Sequence, residues 1–579
     1  MISETKHPSS KQKYLYWTLV VIAIVYGIQH AASLWYINDD CFVSFRYARN
    51  FVNGLGLVYN AGERVEGFTN FLWTMIIALG MKLGFDPVPL STNLGILFYI
   101  GTLATYAVLS WKFKEAGNTQ LAFIPLTTIA LSLHREFNAH ATSGMETSMF
   151  TFLITATFAL ILLGTGRRRL FATGVVFVLA MMTRPDGIIF LAAAAFYIIL
   201  TRKPFLKSLI WLLLPSLIIF LPYWMIRYWY YGFFFPNTFY AKSIDLPYYS
   251  QGIAYALLYF KTYYVFAAIP VLGGIILWQK RKTIVNLSAL RSSINGTRNC
   301  PTSSDPIILG LLFIGAYTAF TIRIGGDFMF ARFFIAVTPM MFFTIELLIN
   351  KMTTKYVTLA LSVLVILTTI LRYDQYGTDV FVGYISDESR YFTRESFQQA
   401  RTDGAILRKY FDDLPVRVSF WAGQLQLMYY ADPFYAIESS GGLTDTAVAH
   451  QAITTRGRPG HEKIPTTDYL IKRRVNFYIG PLEPPPAGQQ ILNAILFENI
   501  LGRIIVYNDT IMSALAKYPQ VKFIRMPEYL DSYITTMDTL PRTKIESDYA
   551  YFKSFYFDVN HDSADSLRQS KFVSHLQDN

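Results

Sequence analysis

The residues of this chain best suited to chemistry are two adjacent carboxylates, Asp39-Asp40, which follow a long apolar segment running from Tyr14 to Leu34. Like charges held side by side at the exit of a membrane-length helix repel one another and lose hydration, which raises the proton affinity of one of them. A carboxylate in that condition can act as a general base on a sugar hydroxyl, or hold the hydroxyl in place. The pair also has an ordinary structural use, because Asp is a good N-cap and Phe42 to Val52 reads as a helix. Both readings stand.

Cations able to meet a phosphate recur further along, with Arg184, Lys242, Arg323 and Arg332 each lying in a short polar segment between apolar runs. Arg offers phosphate oxygens a planar fork and Lys a point charge, and either stabilises a departing phosphate. Taken singly, each can instead snorkel to lipid headgroups. The segment Arg323-Ile324-Gly325-Gly326-Asp327-Phe328-Met329 is expected to begin a helix, with glycines that admit a close ligand and Asp327 as cap or hydroxyl ligand. Thr142 to Thr147 is expected to open another helix, leaving Glu146 beside its dipole or facing a cavity. Near the C-terminal end, Gly457-Arg458-Pro459-Gly460-His461-Glu462-Lys463 is a dense polar loop, either solvated or touching substrate. The sequence holds no zinc-ligand spacing, phosphate loop or nucleophile elbow. No cofactor is called for, although carboxylate oxygens suit a hard divalent metal and leave that alternative open.

The elements that position these residues are membrane elements. Of 579 residues, 53% are hydrophobic and 16% aromatic, so lipid is the main solvent. The net charge of +12 is spread in short clusters between apolar runs, which suits membrane anchoring and not nucleic acid. The first apolar run is too long for a signal peptide and reads as an uncleaved helix. Further apolar stretches at about 91–111, 120–134, 147–164, 170–183, 187–200, 208–226, 255–278, 307–322, 333–349 and 356–371 bring the expected number of spans to about 11. That count gathers Lys112, Lys114, Arg167 to Arg169, Arg202, Lys203, Lys207, Lys280 to Lys282, Lys351 and Lys355 on one face, the cytoplasm. It also requires Asn70 to Gly84 to lie in the interface, and 170–183 with 187–200 to form a shallow hairpin about Arg184-Pro185-Asp186. The two cysteines, Cys41 and Cys300, then fall on opposite faces and do not pair.

The division expected is a transmembrane domain over 1–371, with a first outer loop at 35–90, and an extracytoplasmic domain over 372–579. Val416 to Phe420 and Asn476 to Ile479 alternate as strands, Ser396 to Phe411 reads as a helix, and Pro481 to Pro486 as a connector, giving a small α/β layer. Beyond about 540 the composition turns polar enough to leave order open. A transporter or flippase for a lipid-linked glycan is the rival to an enzyme. Such a protein distributes polar groups along a midplane path and repeats its broken helices, neither of which the sequence displays.

In order along the chain, Asp39-Asp40 with Arg49-Asn50, Gly62-Glu63-Arg64-Val65-Glu66, Ala141 to Glu146, Arg184-Pro185-Asp186, Tyr230-Tyr231-Gly232, Pro236-Asn237-Thr238, Ala241-Lys242, Gly325 to Met329, Ala331-Arg332 and Gly460 to Lys463 form a pattern. In this pattern the chain resembles the polyprenyl-phosphate-sugar-dependent membrane glycosyltransferases of C-type fold, above all the mycobacterial terminal β-(1→2)-arabinofuranosyltransferases. The resemblance implies a polytopic helical membrane enzyme of a bacterial plasma membrane whose site faces the periplasm or exterior. It implies a polyprenyl-phosphate sugar donor, a glycan or glycolipid acceptor, and a role in cell-envelope polysaccharide synthesis, with arabinofuranose as the sugar by analogy. Asp39 and Asp40 inherit the position facing the acceptor hydroxyl. Arg184, Lys242, Arg323, Asp327, Arg332 and His461 become donor phosphate or sugar contacts, and Glu66, Glu146 and Asn237 acceptor or cavity contacts.

Overall fold

Runs of apolar residues between charged turns fold here as helices. The computed structural model describes residues 9–115, 123–164, 166–202, 204–279, 305–351, 355–482 and 491–578. Lys203, the basic cluster Lys280 to Lys282, Cys300 and most of the Pro481–Pro486 connector lie outside the described residues. Four described helices are long and apolar enough to cross a bilayer: Ser10–Ser33, Pro87–Glu115, Phe205–Tyr231 and Pro306–Arg323. Tyr249–Thr262 and Tyr264–Gln279 make a fifth crossing if counted together, bent by 93° at their junction. The chain is a membrane protein.

Other expected spans are shorter helices, among them Thr147–Leu163, Arg167–Thr183, Gly187–Thr201, Thr338–Ile349 and Lys355–Ile370. Among the described residues of the stretch expected at 120–134, the helix runs over Leu126–Leu133. It stops because His134 turns extended and caps the next short helix, its Nδ1 accepting the Phe137 amide at 3.1 Å. The His134 ring stacks on Tyr263, centroids 3.8 Å apart, so this break lies against the break of the bent pair. Phe71–Lys82, expected in the interface, packs its Trp73 and Ile77 fully inside the protein, and Trp73 Nε1 donates to the Gly144 carbonyl at 3.2 Å.

Helix ends sort by chemistry. At one end Lys114 Nζ meets Glu346 at 2.9 Å, both buried, and Glu346 also accepts from Ser110 Oγ at 2.9 Å and Thr127 Oγ1 at 2.6 Å. At the other, Pro87–Glu115 starts beside Ala141, whose carbonyl oxygen a Cβ on Gly95 would approach to 2.3 Å, and the acidic and basic groups described below converge. Phe205–Tyr231 faces outward, and its exposed Tyr228 and Trp229 with Phe233, Phe234 and Phe235 form an aromatic belt of the kind that sits at a membrane surface.

Beyond Ile370 the chain builds two short strands, β1 (Phe381–Val382) and β2 (Ile385–Ser386), and a six-stranded mixed sheet. The sheet comprises β3 (Arg417–Phe420), β4 (Tyr435–Glu438), β5 (Phe477–Ile479), β6 (Ala494–Phe497), β7 (Ile500–Ile504) and β8 (Val521–Phe523), in the order β4-β3-β5-β7-β6-β8. The two strands read from the sequence are β3 and β5, parallel neighbours with Val418 opposite Phe477. Arg394–Phe411 covers the sheet, with Phe411 stacked on Phe477 at 6.1 Å, and its N-cap Thr393 accepts the Ser396 amide at 3.3 Å. The region past 540 is more ordered than its composition suggests: Arg542–Phe552 and Ser563–Asp578 pack through Phe552, Phe557 and Phe572. Polar composition concealed an aromatic contact every few residues.

The two parts meet tightly. Trp35 packs on Phe397, Phe42 on Tyr429, Arg49 pairs with Asp432 at 2.5 Å, and Arg135 with Asp387 at 3.0 Å. Met329 bridges Ser386 in parallel, with the Ser386 amide donating to the Phe328 carbonyl at 2.7 Å.

Candidate active site

The segment that leaves Ser10–Ser33 turns at Asn38 into the helix Cys41–Val52. Asn38 Oδ1 accepts the Asp40 amide at 2.9 Å, and its Nδ2 points to Glu388 Oε2 at 3.5 Å. Asp40 stands at the N-cap position of Cys41–Val52 without a side-chain capping bond. Neither aspartate therefore caps that helix through its side chain. Asp39 caps a different one: its Oδ2 accepts the Leu425 amide at 3.0 Å and its Oδ1 the Gln426 amide at 2.8 Å. These are the first amides of Leu425–Ala431, whose own N-cap, Gln424, supplies no side-chain bond. Gln426 returns the contact, Nε2 donating to the Ile37 carbonyl at 2.9 Å.

Asp39 is thus buried and fully engaged, while Asp40 is half-buried and its carboxylate makes no hydrogen bond or ion pair among the described residues. Burial raises the Asp40 carboxyl above its ordinary range; Lys242 and then Arg332 oppose that shift, while Asp327 and Glu146 add to it. These four groups mark what Asp40 faces. Arg332 Nε holds Asp327 Oδ2 at 2.5 Å. Arg184 forks onto Asp186, with Nε to Oδ1 at 3.1 Å and Nη2 to Oδ2 at 2.9 Å, and lies 3.6 Å from Glu146. Glu146, at the start of Thr147–Leu163, also accepts from Asn70 Nδ2 at 2.9 Å. The Phe333 ring carries both guanidinium groups, at 4.8 Å from Arg184 and 5.5 Å from Arg332. The Lys242 side chain has no hydrogen bond or ion pair among the described residues; its Nζ lies 5.9 Å from the centre of the Phe328 ring. Burial, with Arg332 next, lowers its affinity for a proton.

The glycines of Gly325-Gly326-Asp327 do not begin a helix. Both have positive φ, 89° and 69°, and they terminate the preceding one. A Cβ on Gly326 would come within 2.4 Å of the Tyr255 ring, so that close approach needs glycine. Ala331 also takes a left-handed φ of 63°, directly before Arg332, a strained conformation held by its surroundings.

The C-terminal part closes the site. His461 sets its ring edge-on to Phe328 at 4.6 Å, and its Nδ1 lies 3.2 Å from the Pro459 carbonyl. Burial brings the imidazole down to about 4, so His461 is neutral at neutral pH in the unliganded site. Glu388 bonds Ser386 Oγ, and burial pushes it up to about 8. Glu438, at the end of β4, accepts the Leu443 amide at 2.9 Å and rises to about 7, again through burial. Sequence reasoning missed Glu388 and Glu438. Neither belongs to a motif; their place comes from β2 and β4 meeting the segment after Ser10–Ser33.

Three candidates lie elsewhere. Arg323 is exposed, its Nη1 reaching the Ile244 carbonyl at 3.5 Å and not the cluster. Glu66 is held by Arg227, Nε to Oε1 at 3.0 Å and Nη2 to Oε2 at 2.6 Å. Asn237 clamps the turn after β4, Nδ2 donating to the Gly442 carbonyl at 2.9 Å and the Leu443 carbonyl at 3.0 Å. Glu66 and Asn237 fasten loops. Among the described residues no group of three His, Cys, Asp or Glu side chains is arranged to hold a metal ion.

Two stability measurements separate the aspartates. Asp39→Ala leaves two helix-start amides without an acceptor and is expected to cost about 1–2 kcal/mol. Asp40→Asn removes no bond and replaces a carboxylate whose ionised form burial disfavours, so it is expected not to lower the melting temperature of the detergent-solubilised protein. The pH dependence follows from the raised carboxyls. Burial lifts Asp39 to about 7 from an ordinary 3.8, against the pull of its two amides; Glu438 and Glu388 rise from 4.5. A raised folded pKa means the folded state holds the proton more tightly, so this stability is complete below about pH 4 and is lost as pH rises through about 7 to 8. Histidines lowered by burial, such as His461, oppose this trend only up to their ordinary 6.5, so the melting temperature is expected to fall from about pH 6.5 to pH 8; a steady rise across that range would contradict the assignment.

No family model matches the chain. It is 28% identical over 356 residues to a protein of Mycobacterium tuberculosis named terminal β-(1→2)-arabinofuranosyltransferase, an alignment covering 56% of this chain and 54% of that one. A protein of the same name from Corynebacterium glutamicum is 26% identical over 357 residues, covering 56% and 50%. The chain spans about half the length of these curated relatives. Among solved structures, ArnT from Cupriavidus metallidurans bound to undecaprenyl phosphate aligns over 82% of this chain and 93% of its own, at 13% identity and a TM-score of 0.49. The arabinofuranosyltransferase resemblance read from the motifs is thus matched by similarity over more than half of this chain.

Proposed function

We propose that this chain transfers a sugar, arabinofuranose by analogy with its relatives, from a polyprenyl-phosphate donor to a hydroxyl of a glycan or glycolipid. In this reading it is a C-type membrane glycosyltransferase with about 11 spans in a bacterial plasma membrane. Its transmembrane domain covers 1–371, and 372–579 lies with the site on the outer face, where the product joins the cell envelope. The observation that carries the reading is Asp40: an unpaired carboxylate facing Lys242, which is itself unpaired, and Arg332.

The chemistry follows from that arrangement. Asp40 takes the proton of the acceptor hydroxyl as the hydroxyl oxygen bonds to the anomeric carbon. The bond from that carbon to the phosphate oxygen breaks, and its electron pair leaves with the polyprenyl phosphate. Lys242 and Arg332 stabilise the phosphate charge as it develops, with Arg184 contributing from its place beside Glu146. Asp327 and Asp186 orient the two guanidinium groups. A transporter is not favoured, because the charged groups gather at one end of the helices and not along a path between faces.

The test is sugar transfer from polyprenyl-phosphate arabinofuranose to a panel of glycan acceptors by the purified protein. Asp40→Asn is expected to lower kcat about 100-fold or more, while Asp39→Asn, which keeps one acceptor oxygen for the Leu425–Ala431 amides, retains measurable transfer. Wild-type rates in Asp40→Asn would sink the assignment.

A further inference from the structure

The charges around Asp40 come from two parts of the chain. Lys242, Arg332, Arg184, Asp327 and Glu146 lie in segments joining apolar helices, where a phosphate carried on a membrane lipid arrives. The groups on the water side come from the C-terminal part, Glu388 after β2 and Arg458 in the loop 457–463, and Asp40 is among the charges acting on each. In the proposed reaction the lipid-borne donor occupies the first set of groups, which leaves the second to the hydrophilic acceptor.

Arg458 is anchored but not saturated. Its Nη2 donates to Ser386 Oγ at 3.2 Å and lies 3.8 Å from Glu388 Oε1. Its guanidinium carbon stands 4.9 Å from the Phe328 ring centre and 5.2 Å from that of Phe381. Nε is buried and has no hydrogen-bond partner among the described residues, yet the side chain as a whole is 29% exposed. Nη1 also makes no hydrogen bond among the described residues and, unlike Nε, is open to solvent, where a ligand oxygen can reach it. Ser386 fixes the guanidinium through a residue that also ties β2 to the Phe328 backbone. Arg458 therefore has an orientation set by its partners, while its Nε and Nη1 donors make no hydrogen bond among the described residues.

We infer that Arg458 binds the glycan acceptor, its unpartnered N–H meeting an oxygen of the terminal sugar so that a neighbouring hydroxyl is presented to Asp40. The acceptor is then a polyhydroxylated sugar end that enters between the loop 457–463 and Glu388. The inference rests on the transfer reaction proposed above.

The experiment measures acceptor KM and donor KM separately for the full-length protein, with polyprenyl-phosphate arabinofuranose as donor and an oligoarabinofuranoside as acceptor. Arg458→Gln is expected to raise acceptor KM about tenfold or more, with donor KM unchanged. Arg458→Lys, which keeps the charge but loses the fork, is expected to fall between the two. If Arg458→Gln fails to fold, the Lys variant must still show a raised acceptor KM at constant donor KM. An unchanged acceptor KM, or a rise in donor KM alone, overturns the inference while the transfer reaction stands. A wild type that moves no sugar fails both.

Discussion

Everything at the site depends on the two hydrogen bonds that Asp39 accepts from Leu425 and Gln426. A helix start leaves amides that must find acceptors, and here the acceptor comes from a segment nearly four hundred residues earlier in the chain. The bond pair fixes the C-terminal part against the first membrane helix. It also fixes what lies next to it. With Asp39 turned toward the C-terminal part, Asp40 is turned toward the helical part, and Asn38 spans both by accepting the Asp40 amide while its own side-chain amide points to Glu388.

The cost of burying charge explains the rest of the arrangement. Arg184 and Arg332 are paired with Asp186 and Asp327 and lie against Phe333, so each is nearly neutralised and held still before any ligand arrives. Groups fixed in advance need not reorganise when charge develops on a leaving phosphate. Lys242 and Asp40 are left without such partners among the described residues, and burial moves both toward the neutral form, whereas Asp327 and Arg332 are held ionised by each other. An unpaired cation and an unpaired carboxylate in one cluster suit a reaction that needs both at once.

Part of this was legible in the sequence. Asp39-Asp40 announced itself by charge repulsion beside an apolar run, and Arg184, Lys242, Asp327 and Arg332 by their place in short polar turns. Arg323 followed the same rule and was misjudged, because a helix end fixes where a residue lies along the chain and not which way it points. Glu66 and Asn237 bear motif residues but serve loops, since a buried carboxylate beside Arg227 or a side-chain amide beside two carbonyls satisfies the backbone first. The cap of Leu425–Ala431 by Asp39 could not be read, for no local pattern links residues so far apart. The expected helix at Gly325-Gly326-Asp327 failed because two successive positive φ values end a helix and do not start one. The helices past 540 were hidden because their aromatic contacts are diluted among charged residues.

The most direct measurement is an experimental structure of the full-length protein with polyprenyl phosphate bound. The expected result is a phosphate within hydrogen-bonding distance of Lys242 and Arg332, with the Asp40 carboxylate across open space from it and Asp39 still on the Leu425 and Gln426 amides. A phosphate seated away from Lys242, or Asp40 turned from the cluster while Asp39 faces the phosphate, would contradict it.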